Sequence, residues 1–342
     1  METKKLASYP SGRIVSLINN ILINRDRIDN LPQMIKKVSH GSSVQYDRYE
    51  KECKQVMISY YSSFKKREID LKIVIVDIEK ITESSRRLLN ILWMMMLESS
   101  ISNGRLIKTD VSISLNELVD AGLYANVESA RKAVKRDASC LIRKIHFQGS
   151  ITYGKKKMKQ DKFMTPFIDF KIKRNKGYFK LNEDLNYEMM FPEYTKVPLS
   201  IYMHLGIMAG DMLIYILQLA RQNIMKISNG QPFNLKMSTL ALKMGLPLPD
   251  ATKNPKRDIM ERLKKCIEDV ASSTADDIEI TVHPEMTFHS SVEWIEESYI
   301  SVKLKNEYRD YFQHINTKTA SNGGKTASNG GKTATDGGSQ PP

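Results

Sequence analysis

The chain has 342 residues, enough for about two domains that each bury a core of their own. Its 41% apolar content is that of a globular protein, and the longest strongly apolar run, Leu88 to Leu97, is about half of what a membrane span needs. The formal charge of +13 is concentrated, because sixteen basic residues face three acids between Arg131 and Lys180 and so hold the whole excess. A cationic patch of that density is the electrostatic footprint of a phosphate-backbone binder. Met1 to Arg13 lacks the apolar core and small-residue cleavage site of a secretory signal, so a cytoplasmic location is expected. Three scattered cysteines, Cys53, Cys140 and Cys266, read as reduced core thiols.

Residues up to about Lys66 carry helical periodicity, with Ile14, Leu17, Ile18, Ile21 and Leu22 on one face and a second stretch from Tyr46 to Lys66, which predicts an N-terminal helical extension. Leu71 to Val76 fits a short strand. From Ser84 a helix carries a wide apolar stripe that includes Met94 to Met96, core filler in a helix that must be buried. Val111 to Ile113 is a short strand running into Ser114, which caps the next helix with Glu117 reaching back. Gly122 ends that helix, and Asn126 opens a longer one with Val127, Ala130, Val134, Ala138 and Leu141 on its inner side. This is the order of a helix-turn-helix unit. Ile145 to Tyr153 and Phe167 to Ile172 read as the two strands of a wing, with a lysine-rich tip from Gly154 to Lys162, and Gly177 to Leu181 is a further strand.

The second half repeats the layout: an apolar helix from Asp211 to Asn223, an extended piece from Gln231, and a short helix from Ser238 stopped by Gly245. Asn254 then caps a long helix with Pro255 at its first position, and strands Asp277 to Val282 and Tyr299 to Leu304 make a second wing. Lys318 to Gly338 is three copies of a heptad too rich in Gly, Thr and Asn to bury a core, so a disordered tail is expected. The predicted fold is therefore α+β, mainly α: two tandem winged helix-turn-helix domains at 81–195 and 196–315, after a 1–80 helical extension and before a 316–342 tail.

In such a unit the second helix enters the major groove while the wing holds phosphates. The candidate DNA contacts are Ser129, Arg131, Lys132, Lys135, Arg136 and Ser139 on the first long helix, and Lys155, Lys156, Lys157, Lys159 and Lys162 in its wing. Lys253, Lys256, Arg257 and Lys264 hold the equivalent places in the second unit, whose wing carries Glu285, Glu293, Glu296 and Glu297 and should avoid phosphate. Enzyme signatures are missing: the six histidines include no pair flanking one residue, as a metal-dependent nickase needs. The sequence contains no nucleotide fingerprint either, so neither a cofactor, a metal nor catalysis is expected.

Across Ile81 to Ile315 the layout resembles the initiator (Rep) proteins of iteron-type, theta-replicating plasmids. The resemblance rests on SRRLLNILWMMML and SLNELVDAGLYANVESARKAVKRDASCLIRK within Ser85–Lys144, and on LKMSTLALKMGL and NPKRDIMERLKKCIEDV from Leu235 onward. It implies two winged-helix domains, replication initiation by binding repeated origin sequences in double-stranded DNA, dimer and monomer forms, and recruitment of host replication proteins. A winged-helix transcriptional regulator or partition-type protein has the same sequence pattern. A nickase or relaxase is the enzymatic rival.

Overall fold

Capping and glycine placement build one order of elements twice. The computed structural model describes residues 6–10, 13–24, 43–50, 55–64, 67–102, 110–153, 156–165, 167–182, 194–247, 249, 252–284, 290–306 and 308–310. It is a mixture of helices and small antiparallel sheets. Strand β1 (Leu6–Pro10) and helix α1 (Arg13–Ile23) precede three strands, β2 (Ser43–Glu50), β3 (Gln55–Phe64) and β4 (Arg67–Ile75). The first unit then follows as α2 (Glu83–Ser102), β5 (Asp110–Ser114), α3 (Leu115–Asp120), α4 (Val127–Lys144), β6 (Ile145–Tyr153), β7 (Lys156–Met164), β8 (Phe167–Lys173) and β9 (Lys176–Leu181). The second comprises β10 (Tyr194–Pro198), α5 (Leu199–His204), α6 (Ile207–Gln222), α7 (Ile224–Ser228), β11 (Phe233–Lys236) and α8 (Met237–Lys243). It continues through a π-helical turn (Lys256–Glu261) into α9 (Arg262–Ser273), then β12 (Ile278–His283), α10 (Ser291–Glu297) and β13 (Tyr299–Leu304).

The local signals act as the residue types require. Ser114 Oγ accepts from the Glu117 amide and Asn126 Oδ1 from the Ser129 amide at 2.9 Å, which start α3 and α4. In the second unit Asn254 Oδ1 accepts from the Arg257 amide, beginning the helix that Pro255 enters. Both short helices stop on a glycine in the left-handed region, Gly122 at φ +72° and Gly245 at φ +70°. In each the amide one residue further on reaches back to the helix, Leu123 to Leu118 O and Leu246 to Ala241 O. Helix α2 is buried on nearly every side, with Leu88, Leu89, Leu92, Trp93, Met94, Met96 and Leu97 all inaccessible. The reason is its position: α1, β1, α4, β5 and α6 all pack on it.

The N-terminal region is not a helical extension. Among the described residues only α1 is helical there; Tyr46–Glu50 lies in β2 and Gln55–Phe64 is β3, and these strands join β4, β6 and β7 in one antiparallel sheet of order β2-β3-β4-β6-β7. Alternation of aromatic and polar residues in this stretch satisfies a strand as well as a helix, and the neighbouring β4 supplies the ladder. Strand β1 pairs with β10, and α1 buries Val15, Ile18, Ile21 and Leu22. A Cβ on Gly245 would lie 2.7 Å from the Ile23 side chain and carbonyl, so the end of α1 sits directly on the second unit's short helix–turn. The segment straps both halves together.

The expected wing is also built differently. Ile145–Tyr153 does not pair with Phe167–Ile172; β6 lies between β4 and β7, and β8 pairs with β9 in a sheet of order β5-β9-β8. The register explains the choice, because Ile73 faces Phe147 and Ile75 faces Ile145, so β4 and β6 merge their buried residues into one apolar face. The lysine-rich segment is strand β7, not a loop tip. In the second unit β12 and β13 do pair, with β13 also bonded to β11, but the connection contains a helix. Ser290 caps that helix, α10, which buries Trp294 and Ile295. The heptad tail lies outside the described residues, as do Cys53, Lys155 and Glu285. No helix among the described residues is long and apolar enough to cross a membrane.

The two halves are joined through α2. Arg86 donates two hydrogen bonds to the Asp211 carboxylate of α6, with Nη1 at 2.6 Å from Oδ1, and both side chains are buried. Burial opposes the Arg86 charge, yet the carboxylate overrides it and holds the guanidinium above its ordinary pKa. Removing one partner leaves the other charge buried and alone, so Arg86→Met should cost about 3–5 kcal/mol in urea unfolding. The Arg86→Met/Asp211→Leu double variant should recover most of that loss, and a double variant as unstable as the sum of the singles would show that the pair is not coupled.

Candidate nucleic-acid interface

Among the described residues, exposed cations gather where α4 meets the β5-β9-β8 sheet. Helix α4 turns Ala130, Val134, Ala138 and Leu141 inward, which leaves Ser129, Lys132, Lys135 and Arg136 on the exposed side and Ser139 half-buried. Lys132 and Lys135 make no hydrogen bond or ion pair among the described residues. The two arginines of the predicted set are engaged otherwise. Arg131 binds Glu128 at 2.8 Å and reaches over to the β8–β9 turn, donating to Arg174 O at 2.9 Å and to Asn175 Oδ1. The same turn is tied to the start of α3, since the Leu115 amide donates to Asn175 O at 2.9 Å. Arg131 is therefore a clamp between the helix and the hairpin.

Arg136 leans toward α2. Its Nε donates to Asp137 Oδ1 at 2.9 Å and its Nη2 to Ser84 Oγ at 3.0 Å, although its side chain stays 61% exposed. Asp137 points inward and is fully buried, where it also accepts from Ser84, Ser85 and Thr82 at the start of α2. A buried carboxylate with that many donors locks α4 onto α2 and fixes the helix's rotation about its own axis. In the sequence Asp137 is one of three acids opposing the basic patch; its spacing, three residues after Val134 and four before Leu141, puts it on the apolar side of α4.

The hairpin beside α4 supplies charge that the predicted set of contacts left out. Strand β9 alternates strictly, burying Gly177, Phe179 and Leu181 and exposing Lys176, Tyr178 and Lys180. Tyr178 is 44% exposed and stands opposite Ser112 on one side and Lys171 on the other, while Lys173 pairs across to Lys176. Lys180 lies between Asp110 and Asp169, so the positive charge is strongest at the turn end of the sheet. The period-two pattern of Lys176 to Leu181 was the available clue. Lys156, Lys157, Lys159 and Lys162 lie along β7 in the other sheet and are not brought into this hairpin.

The second unit mixes exposed cations, Arg262 and Lys265 among them, with acids. Lys253 and Lys256 are exposed, but Arg257 is paired with Asp258 at 2.9 Å and the Lys264 ammonium lies 5.2 Å from the Trp294 ring. Helix α10 packs against α8 and the π-helical turn and carries Glu293, Glu296 and Glu297. This places acids beside the helix that would read bases. No group of three or more His, Cys, Asp or Glu side chains that could hold a metal occurs among the described residues. His283, at the end of β12, stacks on Tyr299.

No protein-family model matches the chain, and no curated protein matches it. Among solved structures, the crystal structure of domains 2-3 of RctB is similar at a TM-score of 0.42 and 10% identity, over 79% of this chain and 94% of that chain.

The Asp137 cluster gives the interface its most direct test. Asp137→Ala strands the buried Ser85 hydroxyl and takes the acceptor away from Ser84, Thr82 and Arg136, so urea unfolding should show a loss of about 2–3 kcal/mol, while Asp137→Asn, which keeps an acceptor oxygen, should lose less. Equal losses would mean that the hydrogen bonds are not what stabilises the site.

Proposed function

We propose that this protein binds double-stranded DNA sequence-specifically and acts as a plasmid or mobile-element replication initiator. The arrangement favours a winged helix-turn-helix reading of the first unit: α3 and α4 form the helix pair and β8–β9 the wing. The observation that carries this reading is the Arg131 clamp. It holds a basic hairpin turn beside the exposed Lys132–Lys135 face of α4, so a groove-reading helix and a phosphate-binding strand pair lie on one surface. The second unit has the same order of elements but sets Glu293, Glu296 and Glu297 of α10 close to its long helix, so we assign it a weaker DNA contact or a supporting role. Repeated origin sequences are the proposed target, with host replication proteins and a homodimer as proposed partners. Neither a metal nor a bound nucleotide has a part in this activity, and we propose that the protein is not an enzyme.

Fluorescence anisotropy with DNA from beside the gene tests the reading. Lys132→Ala should weaken specific binding by roughly 1–3 kcal/mol if it reaches a base edge, with little change on unrelated DNA. Lys171→Ala/Lys173→Ala/Lys176→Ala should weaken all sequences alike and reduce the slope of log K against log salt by up to about 3. A wild-type slope in that triple variant overturns the assignment of the wing. Phased direct repeats with local strand opening, read by permanganate, support initiation; a single palindrome over a promoter supports a transcriptional regulator. Relaxation of supercoiled DNA by the protein with a divalent metal would establish an enzyme instead.

A further inference from the structure

Two neighbouring arginines of α2 are buried, and only one of them binds a carboxylate among the described residues. Arg86 takes Asp211 in full, whereas its neighbour Arg87, 7% exposed, has no acid partner among the described residues: its Nη2 donates to Tyr202 O, Met203 O and Leu205 O at 2.6–2.8 Å, and its guanidinium lies 5.3 Å from the centre of the Tyr202 ring. The Arg87 Nε is buried and has no hydrogen-bond partner among the described residues. Burial lowers the pKa of this guanidinium from its ordinary value, the direction expected of a cation whose charge is not met by an acid. A buried charge met only by carbonyl dipoles and one aromatic face is costly, and an arriving carboxylate relieves it with a charge-assisted pair.

Arg87 is also part of the wall of a cleft. The space, about 280 Å³, opens between the back of the α3–α4 turn and the α5–α6 junction. Leu118, Leu123 and Tyr124 line it from the first unit, Leu205 and Ile207 from the second. The volume is at the small end of ligand sites. Ser84 and the exposed His204, whose Nδ1 is held by Ser200 O, also line it, but the other walls are apolar and Arg87 is its one guanidinium, which matches a monoanion with a hydrocarbon part better than a phosphate that is polar on every side. Tyr124, half-buried at the edge, adds a hydroxyl.

We propose that this cleft binds a small apolar monocarboxylate, with its carboxylate on Arg87 and its hydrocarbon part between Leu118, Leu123 and Ile207. An occupant there touches both units and the helix–turn that positions α4, so it would stiffen the junction. This inference is independent of the DNA-binding reading, and it is tested without DNA.

Butyrate, hexanoate, octanoate and benzoate, each beside its neutral alcohol, are titrated into the full chain by calorimetry. At least one acid should bind with a preference of about tenfold or more over its alcohol. Leu123→Trp, which fills the cleft from its edge, should abolish that binding while the protein keeps its wild-type melting temperature. Arg87→Gln should erase the preference for acid over alcohol; where that variant does not fold, Leu123→Trp carries the test alone. Amides of residues 122–124 and 205–207 should gain protection from hydrogen exchange when the acid is bound. No acid bound at about 10 mM, equal binding of acid and alcohol, or unchanged binding in Leu123→Trp overturns the proposal. A protein that binds the acid but no DNA would leave this inference standing and remove the proposed function.

Discussion

The arrangement of the whole chain depends on α2 and the two arginines at its start. A helix buried on nearly every side accepts charged residues inside only where each charge is met, and here Arg86 and Arg87 both turn toward the second unit. One forms an ion pair with α6 and the other gathers the last carbonyls around α5, the groups that a helix end leaves without partners. Burial and the nearby Asp211 push the Tyr202 hydroxyl up to about 12, so it stays protonated in the same junction, within 3.4 Å of Asn90. The junction is polar inside an apolar shell, which gives it one geometry instead of many.

From that junction the order passes outward to the candidate interface. The first turn of α2 gives Thr82, Ser84 and Ser85 to Asp137, Asp137 holds α4, and α4 uses Arg131 to hold the β8–β9 turn. Each link is a hydrogen bond or ion pair to a carboxylate or backbone oxygen, so the cationic surface stands on a chain of fixed contacts. Lys132 and Lys135 are then free to meet a partner because other residues do the positioning. The basic residues thus divide into those that hold the surface together and those that face outward from it.

The candidate site was legible in part. Ser129, Lys132 and Lys135 fall on the outward side of α4 because the apolar stripe of that helix leaves no other place for them. Arg131 and Arg136 share that side, yet each finds a partner from a distant element, Asn175 and Ser84, which no spacing within the helix announces. Lys156, Lys157, Lys159 and Lys162 lie on β7, which pairs with β6, and not on the β8–β9 hairpin beside α4. Four segments in succession alternate well enough to be strands, and alternation states which face is apolar without stating which neighbour completes it.

Sequence alone determined what arises within a few residues of chain: the caps at Ser114, Asn126 and Asn254, the stops at Gly122 and Gly245, the buried α2, and the clustering of charge between Arg131 and Lys180. These are contacts at spacings of three to five residues, where the residue types leave one good solution. Tertiary structure decided the strand partners, the conversion of the N-terminal segment into a strap, the helix within the second hairpin and the fate of each arginine. Those depend on which of several compatible apolar faces meet across tens of residues, and that competition is settled only by packing in three dimensions.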